Sequence, residues 1–240
     1  MFLFKINAFA ATASFRIPEN HTFQQTLPLP PITTLTGIMG AALGLSFKEV
    51  MQFRKEKGIL FGVIGSSSGE MRDLWKYKKM KSSYKEDGSD RQDILIREFM
   101  TDFSLTVAVG SMNEAVLSEV RDGFLNPRYA LSAGNSDDLL KVHRIGPILE
   151  TREELGSKFE NTVIAGDQTP EYESLIDLIN TPITRKIRAP QVFLLPTAFE
   201  FKGEQRRVSK REPFTFIGSP IRLKDPVPTY RAEGDAFALL

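Results

Sequence analysis

The feature that most restricts the fold is the order in which hydrophobic spacing changes over the first 134 residues. "FLFKINAFAATASF" is rich in β formers and reads as a first strand. An extended Pro-rich stretch follows. "LPLPPITTLTGIMGAALG" then predicts a helix, with Thr33 or Thr34 as its cap and Gly44 as its stop. "SFKEVMQFRKEKG" sets Ser46 and Glu49 at capping-box spacing and ends at Gly58, a second helical piece on the same crossover. "GILFGVIG" and "DFSLTVAVG" read as strands. "SMNEAVLSEVRDG" reads as a helix with Ser111 and Glu114 as its capping box and Gly123 as its stop, "RYALSAG" as a strand, and "NSDDLLKV" as a short helix.

Strand, helix, strand, long insertion, strand, helix, strand is the split βαβ order of ferredoxin-like and RRM domains. The fold class expected is therefore α+β: a ferredoxin-like (RRM-type) domain over residues 1–145 with an inserted β-hairpin thumb at about 72–97, and a smaller, mainly β C-terminal region over 146–240. Such folds often bind RNA, but many do not, and no RNP1-type string is present.

Composition removes other chemistries. The chain has 240 residues and no cysteine, so it can bury a core without disulfides or thiol chemistry, which fits a reducing cytoplasm. Only His21 and His143 are available as imidazoles, which argues against a zinc site; neither metal nor cofactor is expected. No apolar run approaches the roughly 20 residues of a membrane helix. The AxA-like opening lacks a basic leader and is interrupted by Lys5 and Asn7.

The net charge is only +1, yet it is segregated. Arg72 to Lys85 carries six basic residues against Asp73 alone, and Arg185 to Arg211 carries eight against two acids. Glu150 to Asp177 reverses the balance, with eight acids against two basic residues, and suits a protein neighbour. A helix from Pro170 is expected there.

The insertion interleaves Trp75, Tyr77 and Tyr84 with Lys76, Lys78, Lys79, Lys81 and Lys85, with Asp87 and Gly88 as a turn signal. "LWKYKKM" and "DILIREF", the latter bringing Arg97, are able to pair as a hairpin. Lysines on phosphates and rings on bases compose a single-stranded nucleic-acid contact. The same lysines also suit an edge hairpin kept soluble by charge.

Gly37, Gly40, Ala41 and Gly44 share one helical face, nearly bare of side chains, at about 1 kcal/mol per interior glycine. That face suits close approach by another protein element, a nucleic-acid backbone or the underlying sheet. At the helix start Thr33, Thr34 and Thr36 place hydroxyls beside free amides, where an anion is favoured or where the threonines simply cap. In the C-terminal region, "QVFLLPTAFEFKGEQRRVSKREPFTFIG" reads as two strands turning at Lys202 and Gly203. Arg206, Arg207, Lys210 and Arg211 on the second form either a second phosphate-facing patch or edge protection. The Pro-interrupted tail reads as irregular.

"ASFRIPEN" followed by "LPLPPITTLTGIMGAALG", then "LWKYKKM" with "ILIREF", then "FLNPRYALSAGNSDDLL", resembles the CRISPR-associated Cas-five family over roughly residues 1–142. That family supplies the type I Cascade subunit that caps the 5′ handle of the guide RNA (crRNA); the pattern is most similar to subtype I-B. The resemblance implies a thumb that intrudes into bound RNA near the handle and contacts with the backbone and large subunits of a cytoplasmic antiviral complex. Target DNA would be met only through the assembled complex. By motif, Arg16 would reach phosphate, the Thr33 and Thr34 turn would open the glycine helix, and Asn126, Arg128 and Tyr129 match the "NPxY" segment, where Asn126 and Pro127 also suit a purely structural turn. One branch of the family cleaves guide RNA with a tyrosine, lysine and histidine constellation. Neither His21 nor His143, which neighbours Lys141 and Arg144, reproduces it, so no catalytic residue is assigned. Three functions stay open: a noncatalytic RNA-binding subunit, a metal-independent endoribonuclease acting on precursor crRNA, and a protein-interaction module without RNA.

Overall fold

The structure, a computed structural model, describes residues 1–20, 23–78, 92–177, 187–203 and 205–240, with the backbone alone at Tyr77, Lys78 and Gln92. The first strand β1 (Phe2–Ala13) is followed by the short β2 (Phe15–Arg16), β3 (Phe23–Gln24) and β4 (Thr26–Leu27). Helices α1 (Ile32–Leu43) and α2 (Phe47–Lys57) come next, and then β5 (Leu60–Ser66), β6 (Gly69–Lys78), β7 (Gln92–Ser111), α3 (Glu114–Leu125) and β8 (Lys141–Ile145). The rest is β: β9 (Leu149–Glu150), β10 (Glu153–Phe159), β11 (Thr162–Ala165), β12 (Tyr172–Ser174), β13 (Gln191–Lys202), β14 (Gln205–Ile217), β15 (Ile221–Ala232) and β16 (Asp235–Phe237).

The result is a mixed fold with three helices among the described residues and a mostly antiparallel main sheet ordered β13-β14-β11-β5-β7-β1-β8. Period-two spacing in β1 explains how the layers form. Phe4, Ile6, Ala8 and Ala10 belong to the principal core with Leu35, Met39 and Leu117 of the helices. Leu3 points the other way, to a small cluster with Ala108 and Phe237. Gly62 permits that second layer, since a Cβ there would stand 2.6 Å from the Phe237 Cβ. Lys5, only 6% exposed, is compensated by Asp235 at 2.9 Å and Glu233 at 3.8 Å.

Several expectations hold in detail. Ser46 and Glu49 form the reciprocal capping box of α2, and Gly44 and Gly58 end α1 and α2 in the left-handed region. β13 and β14 pair from Gln191↔Phe216 to Lys202↔Gln205, turning where Gly203 has φ 61°.

Others are corrected. Pro31, not Thr33 or Thr34, is the N-cap of α1, and no side chain caps it. Asn113, not Ser111, caps α3, its carboxamide oxygen accepting from the Ala115 and Val116 amides; the helix runs past Gly123 to Leu125. "RYALSAG" is not a strand, and "NSDDLLKV" is not a helix. Gly134 has φ +112°, and a Cβ there would lie 1.8 Å from the Ser14 carbonyl oxygen. The chain turns tightly at that point, and the buried Asp138 accepts from Thr12 and Asn135 instead of starting a helix. The strand beside β1 is Lys141–Ile145. No helix begins at Pro170; Tyr172–Ser174 pairs with β15. The tail is regular as well: β15 pairs with β10, Pro226 lies where the register shifts between Val227 and Arg222, and Pro228 pairs opposite Leu155.

Gly134→Ala must relieve both a disfavoured φ and the contact with Ser14. We expect a loss of about 3 kcal/mol, read as a lowered thermal midpoint with unchanged far-ultraviolet circular dichroism at low temperature.

Candidate nucleic-acid interface

No side chain caps α1, and Pro31, Thr33 and Thr34 at its start line the end of a groove of about 550 Å³, the Thr34 amide donating to the Pro31 carbonyl at 2.9 Å. Thr33, Gly37 and Ala41 form its floor because positions four apart share a helix face. Arg16, Pro18 and Leu27 form one wall, and Phe199, Arg206 and Arg211 of the β13–β14 hairpin lie on the other.

The basic residues of the groove are held by specific partners. The Arg206 guanidinium lies 4.9 Å above the Phe47 ring and 5.9 Å from that of Phe199. Phe47 and Phe199 meet edge to face at 5.3 Å. Arg211 Nη1 donates to Glu19 Oε1 at 2.6 Å and to the Leu194 carbonyl at 3.2 Å. Arg16 Nη2 donates to the Asn20 carbonyl at 3.3 Å. Three guanidinium groups from segments far apart in sequence thus line one depression beside a helix N-terminus, a field suited to an anion.

The structure therefore gathers Arg16, Thr33, Thr34, Gly37 and Arg206 at one place. It does not bring Thr36 there: this residue is fully buried off the stripe and its hydroxyl donates to the Ile32 carbonyl. Arg207 lies opposite Glu200 and is absent from the groove lining. Asn126 is the C-cap of α3, and Arg128 and Tyr129 donate their amides to the Ala42 and Ala41 carbonyls, so "NPRY" closes the end of α1. The side chain of Arg128 covers Gly44. Phe47 and Phe199 are groove residues that sequence reasoning did not assign, and of the basic run Arg206 and Arg211 line the groove while Arg207 and Lys210 do not. Arg211 was visible in the basic run, but a bulge in the pairing near Ala198 sets its side and hides it from simple alternation.

The β6–β7 hairpin pairs from Gly69↔Thr101 out to Lys78↔Gln92. Trp75, 37% exposed, and the exposed Lys76 are on its outgoing arm. The backbones of Tyr77 and Lys78 continue it. Lys79, Lys81, Tyr84, Lys85, the Asp87-Gly88 turn and also His21 lie outside the described residues. Arg97 is only 9% exposed and donates to both carboxylate oxygens of Asp73, at 3.0 and 3.3 Å. That hydrogen-bonded pairing holds Arg97 above the ordinary guanidinium value.

One segment joins hairpin and groove. After Arg16 and Glu19, the chain places Phe23 and Gln24 parallel to Ile96 and Arg97 of β7, with Arg72 4.9 Å above the Phe23 ring. His143 is exposed on β8, its ring 6.3 Å from Phe9, and neighbouring Arg144 is paired with Glu233. Among the described residues no group of three or more His, Cys, Asp or Glu is placed to hold a metal, and no helix is long and apolar enough to cross a membrane.

The sequence model of the family described as CRISPR-associated protein (Cas_Cas5) matches residues 4–178. The chain belongs to this family. No curated protein matches it. Among solved structures, a chain of a "CRISPR RNA-guided surveillance complex" superposes with a TM-score of 0.53 at 16% identity, over 94% of this chain and 91% of that one. A CRISPR protein from Archaeoglobus fulgidus also gives 0.53, at 12% identity, over 99% and 98% of the two chains. At these identities the likeness is one of fold, and it extends through the C-terminal strands of this Cas-five family chain, beyond the part that the family model covers.

Replacing both Arg206 and Arg211 by alanine should flatten the salt dependence of single-stranded RNA binding by about 0.7 for each phosphate contact removed. Titrations at several salt concentrations measure this slope, and an unchanged slope would place the phosphates elsewhere.

Proposed function

We propose that the chain is a noncatalytic RNA-binding subunit of a type I CRISPR surveillance (Cascade) complex that caps the 5′ handle of crRNA and nucleates assembly. The observation that carries this reading is the groove, where Arg16, Arg206 and Arg211 converge on the uncapped N-terminus of α1 in a member of this family. Phosphodiester oxygens are the ligand whose charge and spacing suit such a site. The body is read as ferredoxin-like, supported by the antiparallel order β5-β7-β1-β8. The hairpin acts as a thumb whose rings and lysines, Trp75 and Lys76 with Tyr77, Lys78, Lys79, Lys81 and Tyr84, accompany the RNA away from the groove. The acidic segment and exposed apolar residues meet the backbone and large subunits, and target DNA is met through the assembly.

Gly37 supports the groove as a ligand site. A Cβ there would meet nothing within 4 Å, so packing inside the fold does not require glycine. Its helical cost of about 1 kcal/mol is not offset by any internal close approach. A backbone lying on the floor of the groove would offset it.

Gly37→Ala should therefore leave the thermal midpoint unchanged or raise it, while Gly37→Leu should weaken RNA binding at least tenfold. Equal affinity would remove the groove floor from the interface. The role itself is tested by incubating the purified chain, in EDTA, with labelled precursor crRNA and a handle-scrambled control on native and denaturing gels. Handle-dependent binding without product is expected. Cleavage at a defined position would establish the endoribonuclease instead, and indifference to RNA would leave the protein-interaction module.

A further inference from the structure

Trp75 is the only tryptophan of the chain, and its surroundings give Arg97 a different task from the surface cations. Paired residues of a hairpin share a face and diagonal neighbours touch, so Asp73, Trp75, Arg97 and Phe99 lie together on one side of β6–β7. The Arg97 guanidinium sits 5.4 Å from the Trp75 ring centre and 5.6 Å from that of Phe99. Its Nε and Nη2 atoms are spent on Asp73. Its Nη1 is buried with no hydrogen-bond partner among the described residues, and the carboxylates of Asp138 and Asp137 add to the field that retains the charge. With Nε and Nη2 held by Asp73 and Nη1 out of solvent, the guanidinium turns no exposed donor toward an incoming phosphate. A planar fork that is hydrogen-bonded at one edge and held close to an indole instead restrains that indole.

We propose that Arg97 is a positioning residue: held by Asp73, it fixes the Trp75 indole as a platform on which one base of single-stranded RNA stacks, and makes no phosphate contact itself. The proposal rests on the RNA-binding reading above. Lysine cannot replace arginine here, because a point charge on a flexible stem neither forks to Asp73 nor lies flat on a ring. Asp73→Asn keeps the size of the clamp but removes its charge, at a side chain that is 42% exposed.

The test uses the full chain, with Trp75 as its own reporter. Arg97→Lys and Asp73→Asn are expected to shift the emission maximum and increase acrylamide quenching in the free protein. Both should weaken binding of labelled precursor crRNA at least fivefold, corresponding to about 1 kcal/mol, the lower bound for a lost base stack. The salt slope should not change. In a Trp75→Ala background neither substitution should weaken binding further, since Arg97 acts through the indole. Unaltered emission, a reduced salt slope or additive losses would each overturn the proposal while handle-dependent binding by the unsubstituted chain keeps the capping reading. Absence of binding by the unsubstituted chain overturns that reading and the RNA platform with it, and the emission measurement still decides whether Arg97 orders Trp75.

Discussion

A single strand belongs to both the body and the hairpin, and the remaining architecture depends on that sharing. The 20 residues of β7 pair with β1 and β5 over their C-terminal half and with β6 over their N-terminal half. Phe103 and Val109 are fully buried, so the inner half is fixed by the core. Asp102, with φ 48°, marks the transition, yet Ala10↔Phe103 and Thr12↔Thr101 keep one register across it. An isolated two-stranded hairpin is marginal in water. Here the ladder continues out of a buried sheet, so its register and the facing of Trp75 are inherited from the core and need not be created by the hairpin.

The groove depends on the same continuity from the other direction. Its floor is a helix that packs on the central strands, and its far wall is a hairpin at the opposite end of the main sheet from β8. Phe47 joins them, meeting Phe199 and lying beneath Arg206. Glu19 on Arg211 is an exposed ion pair, and pairs of this kind contribute only about 0–1 kcal/mol. A phosphate can therefore take the place of that carboxylate without dismantling the wall. By contrast, the Asp73 and Arg97 pair lies against aromatic rings with the guanidinium nearly out of solvent. The first arrangement suits exchange of an anion, and the second suits holding a shape.

What was legible in the sequence were features encoded locally. The capping box at Ser46 and Glu49, the stops at Gly44 and Gly58 and the β-forming composition of the first strand depend on residues a few positions apart, and they were read correctly. The NPxY segment and the basic aromatic flanks also led to the family. What failed were positions decided by distant partners. Thr33 and Thr34 are good capping residues, but Pro31 already occupies the cap with an extended ψ of 163°. "RYALSAG" has strand-like composition, but the Ser14 carbonyl fills the space beside Gly134. Arg97 reads as one more surface cation until the β6–β7 register sets it opposite Asp73. The tail prolines argue for irregular structure until β10 supplies a partner, with Pro226 in the register shift and Pro228 opposite Leu155.

The glycine face of α1 shows why composition alone could not resolve its purpose: two of its three glycines answer to different neighbours and one to none within the fold. At Gly40 a Cβ would stand 2.9 Å from Val50 Cγ1, so this glycine admits α2. Gly44 adopts φ +77° to end the helix, with Arg128 packed where a side chain would point. Gly37 meets nothing. The bare face thus does not seat the helix on the sheet, which is contacted by Leu35 and Met39 from the other side. Two glycines are accounted for inside the fold. The third lies between Thr33 and Ala41 on the groove floor, where no neighbour inside the fold requires a missing side chain.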